Sequence, residues 1–376
     1  MHFEPYPFEK LTELLKDITP ISSFPAVSLT IGEPQFDTPL FIQEALYEHA
    51  SQLNKYPKSS GEAYVSEAQR TFMQKRFGVQ LKPSELISTF GTREVLFNFP
   101  QFLLHDRDEP IMAYPNPFYQ IYEGAAIASR AKVIHLNLTK ENAFKPDINL
   151  PELRLADLII LNFPNNPTTS VLSLDELGEW VKFALKYDII LMNDECYSEI
   201  YADVKPPSLL EAALHVGNTR FKNTLVINSI SKRSSAPGLR SGFIAGDEQI
   251  LKHYAKYRTY VGAGIPLPLQ MASAAAWNDE AHVQKTREEY AHNLRLSHEI
   301  LGIPLVSATF YIWLYVGDDL AFTKDLYRVK NIKVLPGRFL GRGGVADGYV
   351  RIALVENHQK TENILKEIAA FIKGNY

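Results

Sequence analysis

Between residues 85 and 250 the chain alternates short apolar runs with longer stretches whose apolar residues recur every three to four positions. The short runs are 86–90, 110–114, 132–138, 158–163, 189–193, 225–230 and 242–245. Several are apolar on nearly every residue, as strands buried on both faces must be. Between two of them, Ser173 and Glu176 form a capping box, and Leu174, Leu177, Val181, Ala184 and Leu185 then fall on one helical face. This alternation predicts an α/β fold: a mostly parallel sheet wrapped by helices on both sides. In such sheets ligands sit at the carboxyl ends of the strands.

The flanks read differently. Thr38-Pro39 predicts a helix running to about residue 50, and a charged helix is expected over 278–301. Strands near 310–316 and 349–354 and a last helix near 359–373 complete the chain. A large domain over 46–276 is expected beside a smaller α+β domain made from 1–45 and 277–376, and 376 residues suffice for both cores. The helix after Phe90 carries Pro100 and should kink there or be short.

Composition removes several function classes. With 39 basic and 43 acidic residues the net charge is -4, which favours neither nucleic acid nor an anionic membrane surface. No apolar run is long enough to cross a bilayer, and the N-terminus lacks a secretory signal pattern, so a cytoplasmic protein is expected. Cys196 is the single cysteine, which excludes an internal disulfide framework. His282 and His292, ten apart on the charged helix, do not share a face as metal ligands would, and solvated or partner-facing roles are expected instead. Gly262-Ala-Gly264 lacks the third glycine of a dinucleotide fingerprint.

The polar residues that follow the apolar runs carry the chemistry. Ser229-Ile-Ser231-Lys232 is followed eight residues later by Arg240. Two hydroxyls and an arginine fork suit a phosphate. A desolvated lysine suits an aldehyde, with which it forms a Schiff base. Phosphate and aldehyde together describe pyridoxal 5′-phosphate. Asp194, at the end of another buried run, needs a cation or several donors, and a pyridinium nitrogen is such a cation. Tyr197 and Asn166 could donate to the ring oxygen, and Tyr119 could stack on the ring. Gly91 and Thr92 open a helix whose free N–H groups suit a phosphate.

In type and order, Asn165-Asn166-Pro-Thr168, Asp194-Glu-Cys-Tyr197 and Ser229-Ile-Ser-Lys232 with Arg240 resemble the class I/II aminotransferases of the pyridoxal-phosphate fold type I. Leu29-Thr-Ile-Gly32 and Gly348-Tyr-Val-Arg351 extend the resemblance to both ends. The resemblance implies that Lys232 carries the cofactor and shuttles the proton, that Asp194 keeps the ring nitrogen protonated, and that Tyr197 and Asn166 tune the ring oxygen. Gly91, Thr92, Arg93, Ser229, Ser231 and Arg240 would hold the phosphate, with Tyr56 reaching it from the neighbouring subunit of a homodimer. Gly32, Asn166 and Arg351 would contact the substrate, Arg351 taking its α-carboxylate. Thr169 departs from the family, which commonly has Gly after Asn-Pro-Thr.

Further segments, among them Ala275-Ala-Trp277-Asn-Asp279-Glu280, Phe310-Tyr-Ile-Trp313 and Val334-Leu-Pro-Gly337, resemble the N-succinyl-diaminopimelate aminotransferase branch, with glutamate as amino donor. Such a substrate carries carboxylates beyond the α one, so a second cation is expected from Arg93, Arg233, Arg258 or Arg338. Aspartate, aromatic or unacylated diaminopimelate aminotransferases are the alternatives, and a C–S β-lyase is a further one. A cofactor-binding regulator would need a DNA-binding module, and the residues before Gly32 lack a basic helical patch.

Overall fold

The structure, a computed structural model, describes residues 2–262 and 264–375; Ala263, within the Gly-Ala-Gly stretch considered above, lies outside them. Twelve strands are present among the described residues. In chain order they are β1 (Val27–Ser28), β2 (Leu86–Thr89), β3 (Ile111–Asn116), β4 (Lys132–Asn137), β5 (Leu158–Leu161) and β6 (Ile190–Asp194). β7 (Thr224–Ser229), β8 (Gly242–Gly246), β9 (Tyr311–Tyr315), β10 (Ile332–Lys333), β11 (Leu335–Pro336) and β12 (Tyr349–Ala353) follow.

Seven of these form one sheet in the order β2-β8-β7-β6-β5-β3-β4. All neighbouring pairs from β7 to β4 are parallel, and only β8 runs antiparallel to both its partners. The uniform apolarity of the runs has a direct cause. Along β5, Ile159 and Leu161 enter the core on one face of the sheet while Leu158 and Ile160 enter the core on the other, because successive side chains point to opposite faces. The helix Leu174–Tyr187 covers one face, with Leu177, Val181 and Ala184 buried as its periodicity predicts. Its capping box forms in both directions: Glu176 N donates to Ser173 Oγ at 3.2 Å and Ser173 N to Glu176 Oε2 at 2.7 Å.

A second core joins Leu29, Ile312, Val334, Ile352, Leu365 and Ile368, built on the antiparallel sheet β11-β12-β9 and the helices Ala281–Leu301, Asp319–Lys330 and His358–Asn375. β1 pairs in parallel with β10, tying the N-terminal segment to this part of the chain. The helix Leu40–Glu48 instead buries Ile42 in the large core.

Two local expectations are corrected and one is narrowed. Thr38 does not cap the Leu40–Glu48 helix; its hydroxyl donates to the Ser235 carbonyl at 2.6 Å, pinning this segment beside the loop after Lys232. The helix after Gly91 is not cut short at Pro100 but runs from Thr92 to Leu104. Pro100 and Phe99 are buried there, and packing outweighs the one lost backbone hydrogen bond. His282 is not solvated: its ring joins Asp279 Oδ1 at 2.5 Å and Ser234 Oγ at 2.8 Å. His292 is exposed.

Candidate active site

The carboxyl ends of β5, β6 and β7 lie side by side, and a cavity of about 470 Å³ opens above them. Register pairs Leu161 with Asn193 and Asp194 with Ile227, so Asn162, Asp194 and Ser229 emerge at adjacent strand ends. All three line the cavity. Asp194 is buried. Its carboxylate accepts from the Tyr122 hydroxyl at 3.0 Å and the Cys196 N–H at 3.3 Å. Burial pushes its pKa above the ordinary aspartate range, and hydrogen bonds from Cys196 and Tyr122 pull against that shift. A cation facing this carboxylate would stabilise it as the anion.

Lys232 sits in the short helix Ile230–Arg233 that β7 feeds directly. Its Nζ donates to the Gly32 carbonyl. Burial lowers its pKa from the usual lysine value, so the amine is more readily neutral, as a nucleophile toward an aldehyde must be. Gly32 is required where it stands, since a Cβ there would lie 1.8 Å from the Tyr311 hydroxyl. That hydroxyl meets the Tyr197 hydroxyl at 3.0 Å. Burial, then Tyr311, raises the Tyr197 pKa, which keeps it a neutral donor.

One end of the cavity is built for an anion. Ser229, Ser231, Thr92 and Arg240 line it. Gly91 precedes the helix Thr92–Leu104 and no side chain caps that terminus, so its first N–H groups remain available. Arg240 reaches across from the turn after Lys232 and donates to the Pro237 and Phe90 carbonyls at 2.8 and 3.3 Å. Cys196 Sγ stands 3.2 Å from Thr92 Oγ1 and 3.5 Å from Ser229 Oγ. Tyr119 lines the wall between this end and Tyr122, and Arg93 donates to its hydroxyl at 2.7 Å.

Arg351 enters from β12. It donates to Asn166 Oδ1 at 2.7 Å and to the Thr30 carbonyl at 2.6 Å, and its guanidinium lies 4.4 Å from the centre of the Tyr311 ring. With Oδ1 held by Arg351, the Asn166 amide nitrogen turns away from the arginine.

The structure thus brings Gly32, Thr92, Arg93, Tyr119, Asn166, Asp194, Tyr197, Ser229, Ser231, Lys232, Arg240 and Arg351 to one cavity, with Gly91 behind Arg240. Tyr56 stands apart, fully exposed on the surface. Three candidates for a second substrate cation lie elsewhere. Arg233 is buried between Phe72 and Trp277 and paired with Glu280 at 2.9 Å. Arg258 is buried against Glu94, and Arg338 is held by Asp319. Asn162, Tyr122, Tyr311 and the Tyr6–Phe8 stretch are among the cavity groups that escaped the sequence reading. Asn162 carried the same signal as Asp194, a polar residue just beyond an apolar strand, and Tyr122 lies one helical turn from Tyr119. Nothing in the sequence around Tyr6 marks it.

A buried carboxylate, a desolvated lysine beside it and an anion cradle one helix terminus away fit pyridoxal 5′-phosphate at the strand ends of a fold-type-I sheet. Residues 25–368 match the family model for aminotransferase class I and II, and the chain belongs to that family. Its members depend on pyridoxal phosphate bound to lysine as a Schiff base. The chain is 53% identical to the aminotransferase AspB from Helicobacter pylori 26695, with a TM-score of 0.97 and full coverage of both chains. An aminotransferase from Neisseria meningitidis Z2491 is 39% identical at a TM-score of 0.94, covering 99% of this chain and 98% of that one. The LL-diaminopimelate aminotransferase of Natranaerobius thermophilus is 31% identical over 92% of this chain and 91% of its own length.

Proposed function

We propose that this aminotransferase moves an amino group between glutamate and the 2-oxo acid corresponding to N-succinyl-LL-2,6-diaminopimelate, in bacterial lysine and diaminopimelate synthesis. The observation that carries the aminotransferase chemistry is the shared cavity of Lys232, Asp194 and Arg351. The succinylated substrate rests on the dispersed segments that resemble that branch. A second reading, unacylated LL-diaminopimelate, rests on the relative of that activity and is about as well supported.

When bound, pyridoxal phosphate supplies an aldehyde for the substrate amine and a ring that accepts the electron pair left when the Cα proton departs. The chain's own residues do the rest. Arg351 binds the α-carboxylate, its fork oriented by Asn166 and Thr30. Lys232 Nζ would hold the cofactor and take the proton from the substrate Cα. Asp194 holds a proton on the ring nitrogen, and Tyr122 fixes its carboxylate. Tyr197 and Asn166 donate toward the ring oxygen. Thr92, Ser229, Ser231 and Arg240, with the helix N-terminus at Gly91, hold the phosphate.

The reading includes a cytoplasmic homodimer. Leu40, Tyr47, Leu53, Tyr56 and Tyr260 are large apolar side chains more than two-thirds exposed, which suits a face covered by a second copy. Tyr56 would reach the partner's phosphate from there. No described helix is long and apolar enough to cross a membrane.

The test is a half-reaction panel. The cofactor-loaded enzyme is mixed separately with N-succinyl-LL-diaminopimelate, LL-diaminopimelate, glutamate, aspartate and phenylalanine, and the cofactor spectrum is followed. Fast conversion by the succinylated compound and glutamate alone supports the first reading. Fast conversion by LL-diaminopimelate with inert succinylated compound replaces it with the second. Cystathionine is added as a sixth compound, because its Cβ–S bond gives the thiol a place to leave; pyruvate, ammonia and homocysteine released from it without amino transfer would reveal a β-lyase.

A further inference from the structure

The hydroxyls of Tyr197 and Tyr311 meet at 3.0 Å at the wall of the cavity, and both side chains are buried. Among the described residues neither hydroxyl has another hydrogen-bond partner. The two rings come from distant parts of the chain. Tyr197 follows Asp194 at the end of β6, and Tyr311 opens β9. β9 pairs with β12, where Tyr311 stands opposite Ala353 and Trp313 opposite Arg351. Tyr311 and Arg351 are therefore diagonal neighbours on one face of the ladder, which brings the guanidinium to 4.4 Å from the Tyr311 ring centre. The Tyr311 hydroxyl itself lies in the space that a Cβ on Gly32 would fill.

A tyrosine hydroxyl carries one proton and can also accept. In a pair with no third partner, one oxygen donates and the other accepts, and the acceptor keeps its own proton for a different group. If Tyr197 donated to Tyr311, it would meet the deprotonated ring oxygen of the cofactor with lone pairs alone, two acceptors face to face. If Tyr311 donates, the Tyr197 proton points at that oxygen. Only the second arrangement satisfies both hydroxyls and the cofactor. Arg351 from β12, Lys232 from the helix after β7, Cys196 after β6 and Tyr290 from the helix Ala281–Leu301 face the pair, and none of the four hydrogen-bonds to either hydroxyl.

We propose that Tyr311 is a positioning residue for the cofactor's ring oxygen: its hydroxyl donates to Tyr197 and so turns the Tyr197 proton toward that oxygen. The inference rests on the aminotransferase reading above. The two parts of the Tyr311 side chain have separate tasks, the ring at Arg351 and the hydroxyl at Tyr197. Tyr311→Phe separates them, because it removes the donor and keeps the ring under the guanidinium. Without that donor the Tyr197 hydroxyl is no longer oriented, and its hydrogen bond to the ring oxygen weakens. The direction of the effect follows. When the lysine-linked nitrogen of the bound cofactor loses its proton, the ring oxygen keeps its negative charge and loses a neighbouring positive one. A donor at the oxygen favours that deprotonated form, so weakening the donor moves the transition to higher pH.

The experiment follows the absorbance of the cofactor-loaded protein against pH for the wild type, Tyr311→Phe, Tyr197→Phe and the double variant. Calorimetry with glutarate, an amine-free acid that takes the substrate's place at Arg351, is run in parallel. Tyr311→Phe should raise the midpoint of the spectral transition by roughly 0.5–1 pH unit and change glutarate affinity less than about threefold. In the Tyr197→Phe background the same substitution should move the midpoint by less than about 0.3 pH unit, because its effect passes through the Tyr197 hydroxyl. Gly32→Ala, whose Cβ would drive the Tyr311 hydroxyl from its place, should raise the midpoint as well and supplies the test if the phenylalanine variant loads poorly. An unmoved midpoint in these variants overturns the proposal. An equal shift with and without the Tyr197 hydroxyl also overturns it, since Tyr311 would then act on Lys232 or the cofactor directly. Glutarate weakened in step with the midpoint would assign the hydroxyl to the α-carboxylate site instead. Failure of the aminotransferase reading is separately visible, because the wild type would then leave the cofactor spectrum unchanged with glutamate.

Discussion

Gly91→Ala tests the anion cradle at its tightest point. Gly91 has φ 76° and ψ 167°, a region open in practice only to glycine. Alanine there costs about 1–3 kcal/mol of backbone strain. The new Cβ would also lie 2.3 Å from one terminal nitrogen of Arg240 and 2.9 Å from its guanidinium carbon. Neither contact is tolerable, so the guanidinium must move, and it moves away from the phosphate end. A lost charge-assisted hydrogen bond costs about 1.5–3 kcal/mol, which is about 10–100-fold in a dissociation constant. The assay compares two ligands on the variant and the wild type: pyridoxal 5′-phosphate and pyridoxal, which has the ring and aldehyde but no phosphate. The expected result is about 10–100-fold weaker pyridoxal phosphate with pyridoxal nearly unchanged. Equal weakening of both would mean that the glycine serves the whole cavity rather than the cradle. Unchanged affinity for pyridoxal phosphate would remove Arg240 from the phosphate site.

Thr169 stands at φ 68°, a conformation unfavourable to a β-branched residue and open to glycine. Relief of about 1–2 kcal/mol of strain, less the about 0.4–1 kcal/mol that glycine adds to unfolded-chain entropy, makes Thr169→Gly more stable by up to about 1.6 kcal/mol in urea unfolding; a less stable variant refutes the strain. Lys232→Met should abolish the spectrum of lysine-bound cofactor and, in cofactor-free protein, raise stability at neutral pH. Burial lowers the folded-state lysine pKa, so the charged amine penalises folding below that lowered value, and the penalty fades as pH rises to the unfolded lysine's own range. The stability gain should therefore shrink between neutral and strongly alkaline pH, and a gain that grows instead contradicts the desolvation. Asp194→Asn should keep the fold, because the amide oxygen still accepts from Tyr122, but slow the half-reaction about 10²–10³-fold; a normal rate would remove Asp194 from the ring nitrogen.

The mostly parallel sheet was legible because its information is local. A strand buried on both faces must be apolar throughout, and the polar residue that ends it stands out, as Asp194 and Ser229 do. The capping box at Ser173 is equally local, contained in four residues. What was not legible depends on contacts across the chain. Thr38 looks like a helix cap until the Ser235 carbonyl, 197 residues later, takes its hydroxyl. His282 looks solvated on a charged helix until Ser234 arrives beside it. Arg93, Arg233, Arg258 and Arg338 are indistinguishable as isolated cations in sequence, and only folding shows that three of them have already met a carboxylate.

The same distinction explains how the site is assembled. Neighbouring strands stand about 4.8 Å apart, so the ends of β5, β6 and β7 span on the order of 10 Å, the scale of a small phosphorylated ring. Parallel pairing puts all three carboxyl ends on one edge, which is why Asn162, Asp194 and Ser229 need no long-range coding beyond strand order. The substrate side has no such ruler. Gly32, Tyr311 and Arg351 come from three separate segments, and their meeting depends on how β12 packs beside β9 and on how the chain before Leu40 lies across both. A small shift between the two cores would leave the cofactor cradle intact while changing the distance from Lys232 to Arg351. The cradle is therefore the part of this fold that can stay fixed while substrates vary. Substrate choice then falls to groups that the seven-stranded sheet does not position.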